Sequence, residues 1–262
     1  MHHFVLHRVR DTSCEMTPFD FVLIATTIIA TSFISGLFGM AGGMILVGVL
    51  LVYFDVATGM VIFSIIQFVA NGWRAVLWAR FVIWRIFFVY VVGALISFGI
   101  MRYVAVVPSK AMVYLGLGAL PFVIELLPLR MRPNIEWRGV PFITGVLTTV
   151  IQLLTGVGGL FLDIFFQKSA LDRKTTIATK AVTQTFSHVV RAVYFGSFVG
   201  AADAVPLWTY VPAIVLSVAG TTLAAQVLER MTDVSFRTWT RRVIFAVSVV
   251  FLVRGVMLVW GY

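Results

Sequence analysis

The sequence predicts an α-helical integral membrane protein that crosses a lipid bilayer many times. Of its 262 residues, 60% are hydrophobic and 12% are charged, and the mean hydropathy is +1.01. Soluble domains are ~45–50% apolar and ~25% charged, so this composition excludes a water-soluble globule. The net charge of +9 comes from basic residues that lie mostly between apolar segments. That pattern is typical of cytoplasmic loops, and no nucleic-acid-binding motif accompanies it.

Ten apolar segments follow one another along the chain. A polar N-terminal segment (1–18) precedes the first half (19–128), and a basic loop (129–138) separates it from the second half (139–262). The predicted segments are Phe19–Leu37, Met40–Phe54, Thr58–Leu77, Ile86–Val106, Ala111–Leu127, Val140–Leu154, Gly158–Gln167, Thr176–Phe198, Leu207–Val227 and Trp239–Tyr262. The N-terminus lacks a compact apolar stretch and a cleavage site of small residues, so Phe19 onward is expected to be a retained span.

Two of these segments are short and begin at glycine clusters. Met40–Phe54 and Gly158–Gln167 fall below the ~20 residues that a full span needs. The clusters are GMAGG at Gly39–Gly43 and TGVGG at Thr155–Gly159. Glycine costs ~1 kcal/mol relative to alanine inside a helix, so each cluster predicts a helix break.

Corresponding positions in the two halves predict an internal repeat. Gly42 and Gly43 align with Gly158 and Gly159, 116 residues later. The following helices align at 117 residues, where Gln67, Asn71 and Arg74 correspond to Gln184, His188 and Arg191. The glycine breaks and the polar helix faces occur in the same order in both halves.

Loop charges predict that the two repeats are inverted. With an odd number of crossings in each half, twelve basic residues fall on one side and four on the other. The first group is Arg80, Arg85, Arg130, Arg132, Arg138, Lys168, Arg173, Lys174, Arg230, Arg237, Arg241 and Arg242; the second is Arg8, Arg10, Arg102 and Lys110. The richer side is expected to be cytoplasmic, which places both termini on the periplasmic or extracellular side.

Polar stripes on the third and eighth segments are the candidate substrate site. Gln67, Asn71 and Arg74 are spaced to share one helix face, as are Gln184, His188 and Arg191. Broken helices whose N-terminal N–H groups point inward would add further anion-binding donors. The predicted substrate-binding residues are Gly39, Gly42, Gly43, Gln67, Asn71, Arg74, Gly156, Gly158, Gly159, Gln184, His188 and Arg191.

Structural roles for the same residues stay open. Arg74 lies close to the basic end of its helix and could reach the interface along its aliphatic stem. The glycines could serve close helix packing, and the amides could join helices through hydrogen bonds.

Asp163, Lys180 and His188 form a second candidate group. Asp163 and Lys180 could neutralise each other in a structural ion pair or could couple ion movement to transport. His188 could relay a proton or serve a structural role. Cys14 is the only cysteine, and no His/Cys/carboxylate metal spacing, ATP-binding loop or nucleophile motif occurs. No cofactor and no enzymatic activity are therefore expected.

At these motifs the chain resembles the TauE/SafE family, also called the 4-toluene sulfonate uptake permease family. The resemblance rests on the paired stretches FISGLFGMAGGMILV and LLTGVGGLFLD and on IATKAVTQTFSHVVRAVYFG. It implies a multi-pass permease of the bacterial inner membrane for sulfite, thiosulfate or an organosulfonate such as sulfoacetate. The second half has Thr155 where the first has Gly39, so the two half-sites are not equivalent.

The expected function is a secondary transporter that works by alternating access at a midplane site between the repeats. Its expected partners are a small anionic substrate, membrane lipids and protons or sodium as the coupling ion. The alternatives are an anion channel and a permease for a non-sulfur organic anion.

Overall fold

The computed structural model describes residues 18–38, 41–200, 210–230 and 233–261, and that part of the chain is α-helical without strands. Its ten helices are α1 (Pro18–Phe38), α2 (Ala41–Tyr53), α3 (Val56–Leu77), α4 (Trp84–Val104), α5 (Lys110–Leu126), α6 (Val140–Thr155), α7 (Gly159–Phe166), α8 (Arg173–Gly196), α9 (Tyr210–Arg230) and α10 (Asp233–Val259). The predicted all-helical fold class is confirmed.

Within the described ranges, four stretches are long and apolar enough to cross a membrane: Val56–Leu77, Trp84–Val104, Tyr210–Val227 and Arg241–Val259. Val22–Leu37, Ala41–Tyr53 and Val140–Thr155 are shorter apolar stretches. The predicted segment starting at Trp239 began too late, because α10 starts at Asp233 and its first two turns are polar. Hydropathy detects the buried or lipid-facing part of a helix and misses such a polar extension.

The second glycine cluster ends one helix and starts another, as predicted. Gly156 follows the last residue of α6 with a left-handed φ of 82°, a conformation that glycine adopts without steric cost. Gly158 then precedes α7, which has only 8 residues. At the first cluster, α1 ends at Phe38 and α2 begins at Ala41; residues 39 and 40 lie outside the described residues.

Matching aspartates start α3 and α8. Asp55 accepts hydrogen bonds from the backbone N–H groups of Ala57 and Thr58, at 2.8 and 3.1 Å. Asp172 accepts from Lys174 and Thr175 at 2.9 and 3.1 Å. Such N-caps satisfy backbone donors that have no partner inside the helix. The two aspartates are 117 residues apart, which adds a further match between the halves.

The helices pack in a pattern with two-fold character. The closest pairs are α3 with α8, α5 with α10, α1 with α9, and α4 with α6. Each helix of the first half has a counterpart five helices later, so that α1 corresponds to α6 and α5 to α10. When every helix is replaced by its counterpart, the α3–α8 and α5–α10 pairs are unchanged, and the α1–α9 and α4–α6 pairs are converted into each other. Glycines allow close approach: a Cβ on Gly93 or Gly145 would strike a backbone carbonyl of the facing helix in the α4–α6 pair.

The corresponding helices α3 and α8 run antiparallel. Asn71 contacts His188, whereas Ser64, two turns earlier on α3, contacts Arg191 further along α8. The α5–α10 pair is also antiparallel, since Tyr114 packs on Phe251 and Phe122 on Phe245. Asn71 and His188 are themselves 117 residues apart, so corresponding positions of the two halves touch at the centre of the fold.

Candidate functional site

A small cavity lies where α3 and α8 cross the ends of the short helices. Its volume, measured for the centre of a water molecule, is about 20 Å³. This is room for about one water. Nine of the twelve predicted site residues line it: Gly43, Gln67, Asn71, Gly156, Gly158, Gly159, Gln184, His188 and Arg191. Gly42 and Arg74 are not among the lining residues, and Gly39 lies outside the described residues.

Arg191 is the most deeply placed charge of the cavity, with 0% of its surface exposed. Its Nε donates to Ser64 Oγ at 2.8 Å, Nη2 donates to His188 Nδ1 at 2.8 Å, and Nη1 donates to the Gly156 carbonyl. The guanidinium carbon lies 4.1 Å from the centre of the Phe63 ring, close enough for a cation–π interaction. Arg191 on α8 thereby contacts both α3 of the first half and the end of α6.

Arg74 is also buried, with 7% of its surface exposed. Its Nη2 donates to the Ser35 carbonyl at 2.8 Å, and Nη1 makes a long 3.5 Å contact to Asn71 Oδ1. Arg74 is therefore packed against α1 within the protein and does not extend to its surface. Arg74 sits behind Asn71 and touches the cavity wall through it.

The two arginines have no carboxylate partner within the part of the chain that the structure describes. Their described hydrogen bonds go to carbonyls, a hydroxyl, an amide and an imidazole. Two ion pairs among the described residues, Lys180–Asp163 and Arg241–Glu125, lie elsewhere. Buried charges normally carry a counter-charge, because leaving water is costly for an ion. Two such cations at one place make the region around the cavity suited to an anion.

His188 connects the two halves. Its Nδ1 accepts the bond from Arg191, since an arginine can only donate, and its Nε2 lies 3.1 Å from the Asn71 side-chain nitrogen. The ring also packs edge-on to Phe63. This contact set gives His188 a structural role in holding Arg191, and it leaves the proposed proton relay untested.

The glycines fall into two groups. A Cβ on Gly42 would strike the backbone of Thr31 and Ser35, so Gly42 serves close packing of α2 on α1. A Cβ on Gly43 would instead lie 2.7 Å from Gln67 Nε2, so Gly43 leaves space for the Gln67 amide. Gly158 combines both roles, because its Cβ would lie 2.7 Å from the Thr148 carbonyl while the residue lines the cavity.

The N-terminus of α7 borders the cavity. Gly158 and Gly159 line the cavity. At the start of α7, the first backbone N–H that bonds to the turn before it is that of Leu162, which donates to the Gly158 carbonyl at 3.0 Å. The preceding N–H groups therefore have no partner of their own in the helix. Together with the helix dipole, such groups favour an anion.

Asp163 and Lys180 form an ion pair with each other, with side-chain exposures of 30% and 19%. Neither residue lines the cavity. Glu125 pairs with Arg241 at 2.6 Å, and neither of these residues lines the cavity.

Five contributors to the site were missed in the sequence: Ser35, Phe63, Ser64, Gln152 and Val157. Ser35 and Gln152 could have been found, because they end a repeated series of polar residues. Thr27, Thr31, Ser32 and Ser35 on α1 match Thr144, Thr148, Thr149 and Gln152 on α6, each pair 117 residues apart. Phe63 and Ser64 gave no such signal, since an apolar helix contains many residues of both types.

Comparison with known proteins adds to this geometry. The family model described as sulfite exporter TauE/SafE matches residues 23–252. The chain belongs to the TauE/SafE family. Membership implies a membrane transporter of sulfur-containing anions rather than an enzyme, and the buried arginines of this TauE/SafE chain fit an anionic cargo. No curated protein and no solved structure matches the chain.

Proposed function

We propose that this TauE/SafE protein is a secondary transporter that moves sulfite, thiosulfate or an organosulfonate such as sulfoacetate across the bacterial inner membrane. The observation that carries the proposal is the pair of buried guanidinium groups, Arg74 and Arg191, without a carboxylate partner among the described residues. Sulfite, thiosulfate and sulfonates present several oxygen acceptors around one sulfur, which match guanidinium, amide and N–H donors.

The donors around the cavity fit such a group. Gln67, Asn71 and Gln184 offer side-chain amides, and Arg191 offers a guanidinium. The α7 N-terminus adds backbone N–H groups. Because the cavity has room for about one water, a sulfur oxyanion requires the surrounding helices to separate. The described conformation therefore fits a closed state of the site.

Alternating access between inverted repeats is the mechanism that the packing supports. A two-fold axis that relates two antiparallel helices is perpendicular to both of them. If α3 and α8 cross the bilayer, this axis lies in the plane of the membrane. That is the arrangement of inverted-repeat transporters, which expose a central site by rocking one repeat against the other. Asn71 and His188 would then lie near the axis, at the level where the two repeats meet.

A proton or sodium gradient would supply the energy, because the sequence carries no ATP-binding motif. Within the described residues, the candidate coupling groups are His188 and the Asp163–Lys180 pair. The direction of net transport would follow the gradient that is coupled.

Uptake by proteoliposomes tests the proposal. Purified protein is expected to transport ³⁵S-labelled sulfite or thiosulfate, with saturation at high concentration. Replacing Arg191→Ala together with Gln184→Ala should abolish saturable uptake. Arg254→Ala is the matched control, because Arg254 also lies within an apolar helix but is exposed. Unchanged uptake by the double variant would rule out the proposed site.

A conductance measurement on planar bilayers separates the transporter from an anion channel. A transporter should show slow, saturable exchange without unitary current steps. Unitary anion currents through the purified protein would favour the channel.

A further inference from the structure

A cluster of four buried hydroxyls lies beside the central cavity, between α4, α6 and α8. Tyr90 and Ser187 share a hydrogen bond of 2.7 Å, and the hydroxyls of Thr148 and Thr149 face the Tyr90 hydroxyl. All four residues are at most 2% exposed. This set is called the Tyr90 cluster below.

Gln152 links the Tyr90 cluster to the cavity. It lines the cavity, and its Nε2 donates to the Ser187 carbonyl at 2.6 Å. Thr148 and Thr149 lie about one turn before Gln152 on α6, toward the end that follows the basic loop. The cluster therefore lies on the side of the cavity that the loop charges predict to be cytoplasmic.

Two hydroxyls of the cluster are unsatisfied. Thr148 Oγ1 and Thr149 Oγ1 are buried, and neither has a hydrogen-bond partner in the described part of the chain. Both hydroxyls approach the Tyr90 hydroxyl, but these contacts fall short of full hydrogen-bond geometry. A buried threonine in a helix can satisfy its hydroxyl on its own backbone, as Thr144 and Thr183 do here. A buried hydroxyl without a partner destabilises the state in which it is found.

A related cluster lies in the other half. Ser32, 117 residues before Thr149, shares a 3.3 Å hydrogen bond with Ser217 of α9. Thr221, one turn further along α9, has a buried hydroxyl without a partner among the described residues. The α1–α9 pair, which corresponds to the α4–α6 pair, thus contains a hydroxyl cluster of its own.

We infer that the Tyr90 cluster is a second anion subsite, through which the anion passes between the central cavity and the cytoplasmic side. The inference rests on the proposed transport of a sulfur oxyanion. Neutral hydroxyls can donate to such an anion without holding it as tightly as a guanidinium does. Opening of this side would direct the Thr148 and Thr149 hydroxyls to the passing anion, which explains why they are unsatisfied in the closed state.

The test replaces hydroxyls without changing side-chain volume much. The Thr148→Val/Thr149→Val double variant removes the two unsatisfied groups, and Thr183→Val is the matched control. Thr183 is buried on the facing helix, but its hydroxyl bonds to the carbonyls of its own helix. Each variant is assayed for initial uptake of ³⁵S-labelled sulfite or thiosulfate, for equilibrium binding of the same anion, and for thermal stability in detergent.

A transit subsite predicts that the double variant slows uptake at least tenfold while the equilibrium affinity for the anion stays within about twofold. Its melting temperature should be equal to or above that of the wild type, because two unsatisfied groups are gone. Thr183→Val should leave the uptake rate near the wild-type value. Wild-type uptake by the double variant would overturn the inference, with transport itself intact.

The stability measurement also decides the matter if the wild type transports neither anion. In that case the proposed function fails, and the melting temperature alone reports on the hydroxyls. A clear fall in the melting temperature of the double variant would mean that both hydroxyls are satisfied structural groups, and it would overturn the subsite. An unchanged or raised melting temperature would support unsatisfied hydroxyls, available to a ligand of another kind.

Discussion

Two adjacent glycines at the start of α2 should differ in their response to alanine: Gly42→Ala should reduce stability, and Gly43→Ala should reduce transport. In Gly43→Ala, the new Cβ would lie 2.7 Å from Gln67 Nε2, against about 3.4 Å for an ordinary contact. Only the end of the flexible Gln67 side chain has to move, by several tenths of an ångström. In Gly42→Ala, the new Cβ would lie 2.5 Å from the Ser35 backbone nitrogen and would also strike the Thr31 carbonyl. There α2 itself has to move away from α1.

These clashes set the expected magnitudes. Gly42→Ala should lower the free energy of unfolding by about 2 kcal/mol, because a clash with backbone atoms puts the cost of overpacking at the upper end of its ~1–3 kcal/mol range, while alanine gains ~1 kcal/mol over glycine in a helix. Gly43→Ala should change stability by less than about 1 kcal/mol, because a side-chain end adapts. It should nevertheless reduce uptake by about 10- to 100-fold, since displacing a positioned group by up to 1 Å can cost that much in rate.

Thermal melts in detergent and proteoliposome uptake of labelled sulfite or thiosulfate distinguish the two effects. Protein yield and orientation in the vesicles must be matched, so that a folding defect is not read as a transport defect. Full uptake by Gly43→Ala would refute the placement of Gln67 at the substrate site. A Gly42→Ala protein as stable as the wild type would refute the close approach of α1 and α2.

Two further predictions concern groups outside the cavity. Hydrogen bonds from the Thr175 hydroxyl and from backbone N–H groups lower the pKa of Asp172 below its ordinary value of 3.8. Asp172→Ala should therefore lower the melting temperature at neutral pH, and the difference from the wild type should disappear as the pH falls through that lowered pKa. In the Asp163–Lys180 pair, Asp163→Asn alone should destabilise the protein by about 1 kcal/mol, given partial exposure. Adding Lys180→Gln should restore both stability and uptake if the pair is structural, whereas a loss of uptake that persists would assign it a coupling role.

Much of the fold could be predicted from the sequence because most of its helices are apolar segments that hydropathy detects. The ten predicted segments match the ten helices of the described chain, apart from shifts of a few residues. The glycine break at Gly156–Gly159 was predictable for a similar reason, since glycine disfavours a continuous helix. The polar start of α10, by contrast, carried no hydropathic signal.

The candidate site was predictable where the two halves repeat each other. Gln67 and Gln184, or Arg74 and Arg191, stood out because the same residue recurs at the same spacing. The different surroundings of the two arginines were not predictable. Arg191 lines the cavity and Arg74 does not, because Ser64 and Gly156 bind the first and the Ser35 carbonyl binds the second. Such differences depend on tertiary contacts that a one-dimensional repeat does not encode.

Equilibrium binding of a labelled sulfur anion to the purified protein tests the central claim most directly. The Arg74→Gln/Arg191→Gln variant keeps polar side chains at both positions but removes both buried charges. It should lose measurable affinity for sulfite and thiosulfate, while Arg254→Gln binds as the wild type does. Loss of a hydrogen-bonded buried charge partner costs about 2–5 kcal/mol, which corresponds to at least a 30-fold weaker affinity. Wild-type affinity in the folded double variant would contradict an anion site built around the two arginines.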